Sequence, residues 1–170
     1  MIYFAVISIF PVGLALAAIS DLLTMTIPNR ISAALIGMFF LVAPFAGLDL
    51  NTIFLSVAAG MIVLICGFVL FATHTMGGGD VKLLTASTLW FGFNSSLFTF
   101  MLTVAFVGGA LTLSILILRS RSQEILAYGL PIPDSLLVAK KIPYGIAIAI
   151  AGLMTYPEAP IVQAAMRSIL

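Results

Sequence analysis

An all-α polytopic membrane fold, with six transmembrane helices and both termini outside, is what three features of this chain predict. Hydrophobic residues make up 62% of its 170 residues and charged residues only 8%, against roughly 45–50% and about 25% in soluble domains. Mean hydropathy is +1.27. Apolar runs of membrane-spanning length recur between short polar intervals. Seven basic and six acidic residues cannot solvate the surface of a globule this size. A soluble enzyme, a disordered chain and a nucleic-acid binder are thereby excluded. The single cysteine, Cys66, rules out an internal disulfide. With one histidine, His74, it leaves no Cys/His metal cluster.

The first span, about 1–20, carries no Lys or Arg and lacks both the basic start and the cleavage site of a secretory signal. It is expected as a retained helix with its N-terminus outside. The polar interval 21–30 turns at Pro28-Asn29. The second span covers about 31–48, ending near Pro44, Gly47 and Asp49, and Asp49-Leu50-Asn51 makes a tight connection. The third covers about 52–73 and is followed by the loop His74–Asp80.

The stretch 81–118 reads either as one long helix or as two spans broken at 92–96. Lys and Arg gather on the cytoplasmic side. Two spans put Arg30, Lys82, Arg119, Arg121, Lys140 and Lys141 inside and only Arg167 outside. One span leaves three inside against four outside, so two spans are expected, about 80–92 and 96–118. The last span, about 142–156, closes at Pro157-Glu158, and the apolar tail is expected to rest on the outer surface. Between them, 119–141 forms a cytoplasmic loop whose Leu126, Leu130, Ile132 and Leu136 point to the membrane or a partner. No composition break divides the chain, so 1–170 reads as one domain.

Topology sorts the acids. Asp49, Glu158, Glu124 and Asp134 fall in hydrated connections. Asp21 closes the first span and Asp80 opens the fourth, and the two crossings between them return both carboxyls to one face. A helix of about 20 Å from Asp80 to Gly92, set against a hydrocarbon core of roughly 30 Å, starts below the inner surface, tilts, or thins the bilayer. Non-helical backbone such as Gly77–Gly79 survives at that depth only beside protein or a water-filled cavity. An ionisable residue there points to function, with Asp21 as its partner. The plainer alternative makes Asp80 a helix N-cap and Asp21 a boundary residue.

Two close carboxyls share one proton. The ionised member draws a proton from water while the protonated member hydrogen-bonds a scissile carbonyl, which is aspartic-protease chemistry without metal or cofactor. No HExxH and no GxSxG occurs. Cys66 lies mid-helix, and His74 reads as a boundary residue.

The stretches Asp21-Leu22-Leu23-Thr24-Met25-Thr26-Ile27-Pro28-Asn29 and Gly77-Gly78-Gly79-Asp80-Val81-Lys82-Leu83-Leu84 resemble the type IV prepilin peptidases, intramembrane aspartyl enzymes of the GxGD class. Lys141-Ile142-Pro143-Tyr144-Gly145-Ile146-Ala147 is similar to the family's proline-glycine motif opening the last helix. The nearest likeness is to short forms from tight-adherence (Flp-type) pilus systems.

The resemblance implies an endopeptidase of a bacterial inner membrane with Asp21 and Asp80 as catalytic dyad. Gly77, Gly78 and Gly79 would let substrate approach, and Lys82, Pro28, Asn29, Pro143, Tyr144 and Gly145 would shape the site. Turn-making and helix starting remain the ordinary alternative for those last six. The implied partners are membrane lipid and a prepilin, whose short basic leader ahead of an apolar helix is cut at the cytoplasmic face. No cofactor is implied. The CxxC insertion of longer members is missing, so their N-methylation does not carry over. Ile146 replaces a frequent proline, and Leu22–Thr26 is uncharged where the family is often basic. A small proton- or cation-coupled transporter is the rival reading of the same acids.

Overall fold

The computed structural model describes residues 2–121 and 142–167. Every regular element among the described residues is helical: α1 (Ile2–Thr24), α2 (Asn29–Val42), α3 (Leu50–Ala72), α4 (Gly78–Phe91), α5 (Ser95–Ser120) and α6 (Tyr144–Thr155), then a 3-10 turn (Tyr156–Glu158) and α7 (Pro160–Arg167). Four stretches are long and apolar enough to cross a membrane: Tyr3–Thr24, Leu50–Ala72, Ser95–Ser120 and Tyr144–Arg167. Helices α2 and α4 have only 14 residues each.

Side-chain register fixes the direction of each neighbour. Gly60 of α3 faces Leu89 of α4, Gly67 faces Val81, and Phe71 faces Gly78, so α3 and α4 run antiparallel. Val6, Leu14 and Asp21 of α1 meet Tyr156, Gly152 and Gly145 in the same reversed order. Between α2 and α4 the order is parallel: Asn29 with Lys82, Leu35 with Trp90. One end of the bundle therefore gathers the end of α1, the starts of α2, α4 and α6, and the end of α3.

Helix α4 lies at the centre, packed by α1, α2, α3, α5, α6 and α7. Its last turns sit in an aromatic core. Trp90 lies 5.2 Å from Phe10 and 6.0 Å from Phe39, and Phe91 stacks on Phe100 at 4.3 Å. Polar tips in this core are satisfied, as buried aromatics require. The Trp90 indole donates to the Leu35 carbonyl at 3.2 Å, and the Tyr156 hydroxyl donates to the Val6 carbonyl at 2.7 Å. Outward faces carry Phe4, Phe54, Phe68, Phe98 and Phe106, all exposed, as lipid contact demands. Cys66 is among the exposed residues of α3.

Several boundaries correct the sequence reading. Helix α1 runs past Ser20 to Thr24, because the Thr24 hydroxyl folds back onto the Ser20 carbonyl at 2.8 Å and Met25 ends the helix at φ 52. Asp21 therefore sits in its last turn. Helix α2 begins at Asn29 and stops at Val42; the turn beyond contains Pro44 and Gly47, the latter at φ 87. Helix α4 begins at Gly78, with Gly77 in the N-cap position, so Gly78 and Gly79 are helical and Asp80 is not the cap. The break after α4 falls where expected. Gly92 has φ 68, and Asn94 caps α5 by accepting the Ser96 N–H at 2.7 Å.

The tail expected to rest on the outer surface is helical over Pro160–Arg167 and covers the bundle. Helix α7 packs on α1 and α4 and buries Ile161, Val162 and Ala165. Asp49 stays at an aqueous connection, where a hydrogen bond from the Thr52 hydroxyl holds its carboxyl below the usual range. Most of the predicted loop, residues 122–141 with Glu124, Leu126, Leu130, Ile132, Asp134 and Leu136, lies outside the described residues.

Candidate active site

Asp21 and Asp80 open onto one cavity of about 630 Å³ at the end where α1 stops and α4 and α6 start. Its wall also includes Ile27, Phe71, His74, the three glycines and Tyr144.

Asp21 is 4% exposed. Its Oδ2 accepts the Gly145 N–H at 2.7 Å, across 124 residues of sequence. Gly145 is the second residue of α6, whose N-cap Pro143 offers no side-chain cap. A carboxylate borrowed from α1 satisfies one of the donors left open at a helix start, where the dipole also favours negative charge. The fit demands glycine. A Cβ on Gly145 would stand 2.7 Å from Asp21 Oδ2 and 2.8 Å from Ile27 Cδ1.

Asp80 is the third residue of α4 and lies over that helix's own N-terminus. Its carboxyl folds back toward the cap, so that a Cβ on Gly77 would stand 2.7 Å from Oδ2. The other two glycines serve packing. Gly78 lies against the Phe71 ring, and Gly79 lets α4 approach Ile27, whose Cβ would be 3.2 Å from a side chain there. Each of the three uses the missing Cβ differently.

Ile27 was not singled out from the sequence. It is buried and touches the start of α4, which carries Asp80, and the start of α6, whose Gly145 holds Asp21. Hydroxyls hold its loop: Ser20 donates to the Thr26 carbonyl at 2.9 Å, and Thr24 bonds the Thr26 hydroxyl at 2.8 Å. An apolar residue amid a polar turn was the available signal. His74, at φ 58 just past α3, is a second wall residue with a strained backbone.

The remaining expected site residues divide. Asn29 and Tyr144 reach the cavity wall. Tyr144 also braces α6 on α5, its ring over Gly108 and its hydroxyl 3.3 Å from that of Thr112. Lys82, Pro28 and Pro143 do not line the cavity. Two residues after Asp80 on a helix, Lys82 points about 200° away and donates to Asn29 Oδ1 at 2.9 Å, joining α4 to α2. Pro28 and Pro143 precede α2 and α6 as N-cap residues.

Comparison with known proteins agrees with the resemblance read from the motifs. No curated protein and no solved structure matches the chain. A model of the type IV leader peptidase family matches residues 8–113, more than half its length and inclusive of both aspartates. With its four membrane-length apolar helices, the chain is a multi-pass membrane protein, and it belongs to the type IV leader peptidase family.

Proposed function

We propose that Asp21 and Asp80 are the catalytic dyad of a GxGD-type aspartyl endopeptidase that trims the short basic leader of Flp-like prepilins. The observation that carries this reading is the convergence of two acids, 59 residues apart in sequence and on different helices, on one glycine-walled cavity. Among the described residues the cavity wall contains two carboxyls and no Lys or Arg, a field that draws a basic segment.

In this reading the extended backbone ahead of the pilin's apolar helix enters over Gly77–Gly79. One carboxyl, ionised, accepts a proton from water as the water oxygen bonds to the scissile carbonyl carbon. The other, protonated, donates to the carbonyl oxygen. Proton transfer to the amide nitrogen then breaks the C–N bond, releasing leader carboxylate and pilin amine. Gly145 fixes the Asp21 carboxyl for this task, and Ile27 sets its spacing from α4.

The wider placement follows the charge pattern. All six helices α1–α6 cross the inner membrane of a bacterium as one domain, termini outside, with the cavity at the cytoplasmic face. Helices α2 and α4, about 21 Å long at 1.5 Å per residue, and α6, about 18 Å, require a bilayer thinned locally, and α6 is extended by the 3-10 turn and α7.

Purified protein reconstituted with an Flp-type prepilin tests the reading. Wild type is expected to cleave at the leader junction, and Asp21→Asn and Asp80→Asn each to lose roughly 10²–10⁴-fold in rate while inserting normally. Aspartate-dependent ion flux without cleavage would replace this reading with the transporter.

A further inference from the structure

A second cleft, of about 390 Å³, lies between α2, α3 and α4, and Asn29 lines both it and the aspartate cavity. Its polar groups come in an order of depth. At the mouth, Lys82 Nζ donates to Asn29 Oδ1, a neutral partner, so the ammonium has no counter-ion among the described residues. Three residues further along the two parallel helices, about 4.5 Å at 1.5 Å per residue, stand Ser32 and Thr85. Apolar Ala33, Ile36 and Leu64 complete the wall.

The two hydroxyls are exceptional. Ser32 is 4% exposed, and the buried Ser32 Oγ and Thr85 Oγ1 have no hydrogen-bond partner among the described residues. Elsewhere in the bundle Ser56, Ser87, Thr88 and Thr155 turn their hydroxyls onto the carbonyl four residues earlier. Burying a hydroxyl unbonded is unfavourable. Two such groups lining one cleft point to a ligand that bonds both. The first turn of α2, which no side chain caps, adds the positive end of a helix dipole beside them.

We propose that this cleft holds one anionic phospholipid of the leaflet next to the aspartates. Its phosphate pairs with Lys82, its glycerol ester carbonyls accept from Ser32 and Thr85, and an acyl chain runs along Ile36 and Leu64. The order cation, donors, apolar wall repeats the order phosphate, ester, chain. A peptide helix fits less well. Its backbone carbonyls are engaged internally and cannot accept from Ser32 and Thr85 as free ester carbonyls do.

Native mass spectrometry of the full chain, released from detergent with equimolar phosphatidylglycerol and phosphatidylcholine, tests this. Wild type is expected to retain one phosphatidylglycerol in preference. Ser32→Ala/Thr85→Val should weaken retention roughly ten- to thirtyfold, as loss of two ordinary hydrogen bonds implies, and Lys82→Gln should erase the preference for the anionic lipid. Ile36→Trp, which blocks the chain's path while sparing every polar group, should also lower retention. Wild-type retention by the double variant or by Ile36→Trp, with native helix content, would overturn the proposal. So would a photo-cross-linker at Ile36 that captures the prepilin helix and no lipid. The measurement needs no cleavage, so it stands or falls apart from the peptidase reading.

Discussion

Gly145 holds Asp21 through a single backbone N–H at 2.7 Å, and the space beside it is already filled by the carboxyl and by Ile27. Gly145→Ala is therefore expected to displace the Asp21 carboxyl and lower prepilin cleavage at least tenfold, with helix content by circular dichroism unchanged. Turnover retained within twofold would show that the contact does not position the acid. His74 makes the contrasting case. It lines the cavity, yet the chemistry requires only carboxyls, so His74→Ala should change kcat less than about fivefold, well short of the 10²–10⁴ typical of a lost acid–base group. A larger loss measured across pH 5–8 would give the imidazole a proton-transfer role.

Packing of α3 against α4 sets where Asp80 stands. A Cβ at Gly67 would lie 2.6 Å from Val81 Cγ1, next to Asp80 in sequence. Gly67→Val should destabilise the bundle by about 1–3 kcal/mol and reduce cleavage more than it reduces expression. Thermal unfolding in detergent, run beside the activity measurement, would separate the two effects. Asn94→Ala, at the cap of α5, should cost about 1 kcal/mol with cleavage spared.

Element by element, the breaks were more legible than the ends. Gly92 and Asn94 announce the α4–α5 break by residue type. Asp21, by contrast, read as a terminus because charge marks membrane edges, whereas a helix ends where its hydrogen bonds end, at Thr24. The glycines read as loop because glycine is a poor helix former. Packing overrode that preference, since Phe71 and Ile27 leave no room for larger residues at Gly78 and Gly79. The burial of α7 was hidden for a related reason: its apolar face is only three residues, Ile161, Val162 and Ala165.

Across the whole molecule, alternation of helix direction brings residues 21–29, 74–82 and 142–145 to one end. Two intervening helices, α2 and α3, make the arrival of Asp21 and Asp80 at one end readable from the sequence. The bond from Gly145 was not readable, because it spans 124 residues and involves backbone. Topology can be examined directly. With Cys66 replaced by Ala, a cysteine at Ser122 should react with impermeant maleimide only in inverted vesicles. Labelling in right-side-out cells would contradict the six-crossing arrangement.

Shared-proton catalysis requires the two aspartates to act as one unit, which a double-variant cycle on prepilin cleavage tests directly. Groups that work together are strongly non-additive. Asp21→Asn/Asp80→Asn should therefore cleave no more slowly than the slower single variant. Losses that multiply, or near-normal cleavage by either single variant, would contradict a shared site.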